Sequence, residues 1–453
     1  MKTKTTTASN PESRRTAAQM HALAAVRREI GPRDSASGRK YLREFAQAFP
    51  KYDSALPPEQ LNSKIAAADI LLIGDYHALP ASQRFASQVI EQLASARPVV
   101  LGLEAVLSRD QRILDAWWRR EIDENELRQR LRFDREWGYD WTPCYELLTA
   151  ARDHGEGIYG LDCMPRDDLR RIGSRDRHAA AKIFEMREKH PNAALVVLFG
   201  ESHLAPQHLP RVLREAEPDA RILTVLQNVD ALYWQAVEEQ ATAVSIGDNA
   251  VCVFNSSPLE KYESYRLCFE RWNGADDDSP DFAPAVYNLI FSLARSLGFR
   301  LDSPRNGTQP KFLADSLPEV VSVKEVVSVA DENVRNALDE HGCVYVSATN
   351  TFFICQFQMA QAAEEASRFL RCACRGMKEL DSDRQIEDAL AHFGSRLLCP
   401  TVGLESGPGS EPGEALYQAY IAGRASKALL RRIFLADLDT SDHTHILARK
   451  LKA

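Results

Sequence analysis

Asp69–His77 reads DILLIGDYH and Ala194–His203 reads ALVVLFGESH. Each is a short run of branched apolar residues that stops at a glycine, followed by an acid and, two residues on, a histidine. Near-continuous apolar runs of this length are the pattern of strands buried on both faces. Four further runs share it: Pro98–Leu103 (PVVLGL), Gly157–Leu161 (GIYGL), Arg221–Leu226 (RILTVL) and Ala250–Phe254 (AVCVF). Amphipathic stretches near Ser82–Ala94, Arg109–Leu131, Pro143–His154, Arg175–His190 and Pro206–Glu215 lie between them. Strands alternating with helices predict βαβ units, and so an α/β domain with a parallel sheet flanked by helices.

This domain is expected over residues 55–272. Ahead of it, residues 1–16 are Thr- and Ser-rich without apolar periodicity, which predicts a disordered tail. Residues 17–54 predict a helical segment split near Gly31-Pro32. Behind it, Asn273–Pro280 (NGADDDSP) and Ser303–Gln309 (SPRNGTQ) are polar breaks. Residues 300–453 then predict a second, mostly helical α+β domain. In it Val320–Ala330 and Cys343–Phe357 are strand-like, while Ala360–Lys378, Ser382–Leu397 and Glu414–Leu435 are helical and Gly403–Glu414 is a loop.

Composition narrows the function classes. Of 453 residues, 44% are hydrophobic and 26% charged, which excludes fibrous and wholly disordered chains. With 56 Lys+Arg against 64 Asp+Glu the net charge is -8, so there is no general basic footprint for nucleic acid or an anionic membrane. The first twenty residues hold no apolar core of a signal peptide, and no run of about 18 apolar residues follows. The expectation is a cytoplasmic protein without a membrane span. Nine irregularly spaced cysteines fit reduced thiols better than a disulfide framework or a zinc ribbon. Glycine-rich nucleotide cradles are absent. So is a G-x-S-x-G elbow, because Gly200-Glu201-Ser202-His203-Leu204 carries leucine in place of the second glycine.

The chemistry collects at the strand ends, where open parallel sheets bind ligands. One run leads into Gly74-Asp75-Tyr76-His77, one ends at Glu104, one ends at Asp162, and one leads into Gly200-Glu201-Ser202-His203. Two histidines and a carboxylate are a common first shell for a divalent metal with a position left for water. Such a metal lowers the pKa of that water and supplies a nucleophile. Asp75 or Glu201 would orient an imidazole or act as general base. A lone histidine is more often a hydrogen-bonding group at a helix start. Two Gly-acid-x-His turns beside Glu104 are harder to explain in that way.

These residues resemble a known superfamily, whose members include the ChaN-like haem-binding uptake proteins, the Tiki and TraB/PrgY membrane-associated metalloproteases and, more distantly, the erythromycin esterases. The resemblance rests on ILLIGDYHALPASQ with His77, VVLGLEAV with Glu104 and LVVLFGESHLAPQHLP with His203. GLDCMPRDDLRRIGSRDRHAAAKI, with Asp162 and the Arg175-Asp176 pair, and SPLEKYESY at Ser257–Tyr265 support it. It covers about residues 60–270. The Tiki-like branch implies a metal-dependent hydrolase of ester or peptide bonds, with His77, Glu104 and His203 around the metal or the activated water. The ChaN-like branch implies haem or iron binding, with Tyr76-His77 as the axial contact. This sequence carries Asp75 where the family usually has Glu.

Other groups carry weaker signals. Trp117, Trp118, Trp137, Tyr139 and Trp141 could wall a pocket for a flat or apolar ligand, or could be helix packing. Arg175 could bind a carboxylate, or pair with a local Asp. His178 and His208 read as helix-surface or capping groups. Glu364, Glu365 and His392 read as solvated helix faces, because the Glu-x-x-His pairs of a two-metal bundle are absent. Asp442-His443-Thr444-His445 is a short metal-capable tract.

Taken together, the sequence predicts a ChaN/Tiki-type α/β domain that binds a divalent metal or haem at its strand ends. His77, Glu104, His203, Asp75 and Glu201 are the catalytic candidates, and His77, Glu104 and His203 the metal ligands. Tyr76, His77, Asp162 and Arg175 are the candidates for holding a cofactor or orienting a small-molecule or peptide substrate. A hydrolase, a non-catalytic haem or iron carrier, and a scaffold remain the three alternatives.

Overall fold

The computed structural model describes residues 17–31, 39–166, 172–239, 241–273, 280–299, 317–375, 384–400 and 410–435. The expected tail at 1–16, the break at Ser303–Gln309 and the Asp442–His445 tract lie outside these residues. The chain folds as two compact units, residues 33–265 and residues 1–32 with 266–453.

The first unit is built on eight strands: β1 (Ser54–Ala55), β2 (Ile70–Asp75), β3 (Val99–Leu107), β4 (Gly157–Asp162), β5 (Ala194–Gly200), β6 (Ile222–Gln227), β7 (Ala243–Ile246) and β8 (Ala250–Val253). They lie side by side in the order β1-β7-β8-β6-β2-β5-β3-β4. The six runs read from the sequence are the parallel part, β8-β6-β2-β5-β3-β4. The pattern missed β1 and β7, which add antiparallel at one side. β7 is only four residues long and joins β8 through a tight turn at Gly247, whose φ of 63° lies in the left-handed region.

Alternate residues of each buried strand feed opposite layers, as the period of two requires. Leu71, Ile73, Val196 and Leu198 face one core, lined by the helices Pro80–Ala94 and Trp141–His154. Ile70, Leu72, Leu195, Val197 and Phe199 face the other, lined by the helices Ile172–Lys189 and Leu209–Ala216. Each fully buried Leu, Ile or Val contributes roughly 1.5–3 kcal/mol, so this double layer is the main source of the unit's stability.

The helix expected over Arg109–Leu131 is broken in two, Gln111–Trp118 and Glu124–Leu131. The break falls at Arg120, with φ 61°, and the second piece starts where the Asp123 carboxylate accepts the Glu126 amide. The first piece carries Gln111, which grips the outer side of β4. Its amide donates to the Ile158 carbonyl at 2.8 Å and its carbonyl accepts from the Gly160 amide at 3.0 Å.

The second unit holds a small sheet of β9 (Glu319–Ser322), β10 (Cys343–Val346) and β11 (Thr351–Ile354), in the order β10-β11-β9. Its helices include Ala17–Ile30, Ala283–Leu297, Met359–Cys374, Arg384–Leu398, Ser410–Ile421 and Lys427–Leu435. The strand-like stretch Cys343–Phe357 is a hairpin, because Ser347–Asn350 turns the chain with Asn350 at φ 50°. Among the described residues no helix is long and apolar enough to cross a membrane.

Candidate functional site

Strand order decides which side chains meet. β2, β5, β3 and β4 are consecutive neighbours; Asp75, Gly200 and Asp162 end their strands, while β3 does not stop at Glu104 as expected but runs on to Leu107 past a register shift after Leu103. The topology therefore brings Asp75, His77, Glu104, Asp162 and His203 to one crevice, and the helix Ile172–Lys189 adds Arg175 and Asp176 from its first turn.

Glu104 is the centre. It is buried, its Oε1 accepts from Arg175 Nη2 at 2.5 Å and its Oε2 accepts from the Gly200 amide at 2.5 Å. His77 Nε2 stands 3.8 Å from Oε2, and His203 Nε2 stands 3.9 Å from Oε1. The other nitrogen of each ring is held by an aspartate. His77 Nδ1 lies 2.7 Å from Asp75 Oδ2, and His203 Nδ1 lies 2.5 Å from Asp176 Oδ1. Each aspartate is itself fixed, Asp75 by the Gln83 amide and Asp176 by the Tyr41 hydroxyl at 3.0 Å. Two Asp–His pairs thus turn their free Nε2 atoms toward one carboxylate.

Arg175 also grips Asp162 with two bonds of 2.8 Å, a fork geometry that favours arginine. Asp162 in turn accepts from Arg166 Nε at 2.7 Å. Arg166 donates to the carbonyls of Glu104 and Glu136 and stacks 4.8 Å over the Trp137 ring. Trp137 and Tyr139 pack on His77, with centroids 4.4 and 5.3 Å away. Gly138 between them has φ 78°, which lets both rings turn to the same imidazole.

Burial and charge set the protonation states. Burial pushes the Glu104 carboxyl up, but His77, His203, Arg175 and the Gly200 amide outweigh it and hold the group below the usual carboxylate range. Burial pulls His77 down, and the carboxylates of Asp75 and Glu104 more than reverse it, so its pKa is raised. Arg175 keeps its charge because Glu104 and Asp162 outweigh its desolvation.

Gly200 is a point of close approach at the meeting point of these three groups. A β-carbon there would stand 2.9 Å from Glu104 Oε2, 3.4 Å from His203 Cδ2 and 3.4 Å from His77 Cε1. Any side chain at this position would press on Glu104, so only glycine fits here.

The donor set does not form the expected metal cage. Arg175 already sits on the Glu104 oxygen that faces His203. Among the described residues no group of three or more His, Cys, Asp or Glu is disposed to hold one ion. Both His77 nitrogens face carboxylates, and the Tyr76 ring lies 4.6 Å from the Lys261 ammonium, with burial pushing its phenol well up.

Glu201 stands apart. Its carboxylate is held by Lys261 Nζ at 2.9 and 3.0 Å. The two turns look equivalent in sequence, but Asp75 pairs in register with Gly200, so equivalent positions are offset by one residue. A one-residue offset sends a side chain to the other face. Asp176 takes the place beside His203 that Glu201 would have filled, and its only signal was the Arg175-Asp176 pair. Gln83, Arg166, Lys261 and Tyr41 were also unassigned. Tyr41 comes from the helix Arg39–Ala48, far away in sequence.

Of the five aromatics, only Trp137 and Tyr139 pack on His77. Trp117 and Trp141 are buried in the core beside Tyr145. His178 Nε2 lies 2.8 Å from Ser108 Oγ, and His208 stacks on Tyr41 with Glu44 3.1 Å from its Nε2. In the second unit His392 is buried rather than solvated, between Glu364 and Glu414.

Fold and site define an α/β protein with a buried acid–base cluster at its strand ends. Residues 61–194 match the family described as haem-binding uptake, Tiki superfamily, ChaN. Among solved structures, the chain is similar to the type III effector HopBA1, at 14% identity and TM-score 0.34, over 44% of this chain and 96% of that one. It is also similar to ChaN of Campylobacter jejuni with cofacial haem bound, at 15% identity and TM-score 0.29, over 39% of this chain and 87% of that one. No curated protein matches.

Proposed function

We propose that the α/β unit is a hydrolase of ester or peptide bonds that works by acid–base catalysis at Glu104 and its two histidines. One observation carries this reading: two carboxylate-oriented imidazoles direct Nε2 at a single buried carboxylate. A water bound at His77 Nε2 gives that nitrogen a proton as its oxygen bonds to the substrate carbonyl carbon. Asp75 stabilises the imidazolium that forms, and His77 then returns the proton to the leaving alcohol or amine as its bond to that carbon breaks. His77 has this role because its side chain is 22% exposed, against 4% for His203. His203 and Arg175 hold Glu104, and Trp137 and Tyr139 line the approach.

The test is hydrolysis of a panel of small esters and peptides by the wild-type protein and the His77→Ala and His203→Ala variants. Metal content and an absorption spectrum are recorded on the same preparations. Both variants are expected to lose about a hundredfold or more in rate. A His77→Ala variant as active as wild type would refute the reading. A Soret band lost in that variant would replace it with haem binding, as the family description names. About one metal per chain, lost in both variants, would make the hydrolase metal-dependent.

A further inference from the structure

We propose that Lys261 is a positioning residue that ties the two histidine-bearing turns together, holding Glu201 of one and the Tyr76 ring of the other. The inference rests on the hydrolase reading for its kinetic arm only.

Lys261 lies in the first turn of the helix Pro258–Asn273, within the SPLEKYESY stretch, and its side chain is 5% exposed. Nζ donates to both Glu201 oxygens and sits 4.6 Å from the Tyr76 ring centroid. These partners are next to the catalytic groups. Tyr76 lies between Asp75 and His77. Glu201 follows Gly200, whose amide binds Glu104, and precedes His203 by two residues. Tyr265, one turn further along the helix, meets the Tyr76 ring at 6.0 Å, and Tyr262 donates to Asp230 at 3.0 Å. The helix is thus fixed against both turns, with Lys261 as a buried charged contact to them.

Burying an ammonium and a carboxylate costs several kcal/mol, and apolar residues of similar volume often serve stability as well or better. A buried pair is better suited to fixing geometry. Desolvation opposes the charge on Lys261, but Glu201 and Asp230 outweigh it and the ammonium persists. Losing this tie frees two turns whose Nε2 atoms must both face Glu104, and a misplacement of about 1 Å can cost a hundredfold in rate.

The experiment compares wild type with Lys261→Met, Lys261→Arg and the double variant E201L/K261M. The double variant removes both buried charges, so it tests the proposal even where Lys261→Met alone fails to fold. Thermal midpoint, kcat, KM and the imidazole NMR resonances of His77 and His203 are measured at one pH. The double variant is expected to keep a near wild-type midpoint but lose about ten- to a hundredfold in kcat, with KM within about twofold. Its His77 and His203 resonances should broaden or split, and Lys261→Arg should restore part of the loss. Sharp, unsplit resonances and wild-type kcat in the double variant would overturn the proposal. Should the wild-type protein hydrolyse nothing, the NMR arm still decides: broadening upholds the positioning role while the hydrolase reading falls.

Discussion

The turns Gly74–His77 and Gly200–His203 are near copies in sequence, yet they supply their histidines in different ways. In the first, acid and imidazole come from the same turn, Asp75 and His77, two residues apart. In the second, the turn's own acid faces Lys261 and the imidazole is oriented by Asp176, 27 residues earlier. The first histidine is partly open to solvent and packs against Trp137 and Tyr139, while the second is buried beneath Tyr41 and Phe199. A repeated motif therefore marks where the chain enters the site, but the register between β2 and β5 decides what each position does there.

The largest expected effect comes from the group both turns share. Glu104→Gln removes the charge that faces both imidazoles and leaves Arg175 with Asp162 alone. Hydrolysis should fall by about a hundredfold or more. Chemical denaturation should show a loss on the order of 3 kcal/mol, as for other broken buried pairs. An active, fully stable variant would remove Glu104 from the centre of the site.

A sharper comparison pairs Asp75→Asn with Asp176→Asn. Asp75 is the main cause that raises the His77 pKa against burial. A base must be neutral, so activity should rise with pH on a limb set by His77, above the ordinary imidazole value. Removing Asp75 should move that limb to lower pH, whereas Asp176→Asn should lower the plateau and leave the limb in place. The stability sign follows from the same shift. Protonated His77 stabilises the fold at low pH, and this contribution is lost as pH rises through its elevated value. The contribution should be smaller in Asp75→Asn, as unfolding curves across pH would report. Equal displacement of both limbs would mean that the two imidazoles share one role.

The smallest effect is expected at Tyr41, where Tyr41→Phe deletes only the hydroxyl bonded to Asp176. The cost should be about 1 kcal/mol, with kcat reduced severalfold and the His203 ring resonance shifted while that of His77 is not. A shift at His77 instead would break the division between the two turns.

The parallel strands and their chemically active ends were readable because both rest on local pattern: apolar runs of five or six residues, each ending in a polar group. β7 (AVSI) was missed because Ser245 interrupts its apolar run, and the break at Arg120 because a left-handed residue has no periodic signature. In the site, His77, Glu104, Asp162, Arg175 and His203 sit at strand ends or a helix start, where topology alone gathers them. Asp176, Tyr41 and Lys261 were hidden because their partners lie 27, 135 and 60 residues away. Glu201 was given an imidazole partner because sequence equivalence says nothing of a one-residue offset.

Gln111 has a consequence for how the molecule behaves in a crowded cell. A sheet that ends in a bare strand offers its backbone to any passing extended chain, the first step of runaway association. By occupying the Ile158 carbonyl and the Gly160 amide with its own side-chain amide, Gln111 acts as a one-residue strand of the protein's own. It covers two backbone groups on the outer side of β4, and an extended chain passing along that border finds neither of them free.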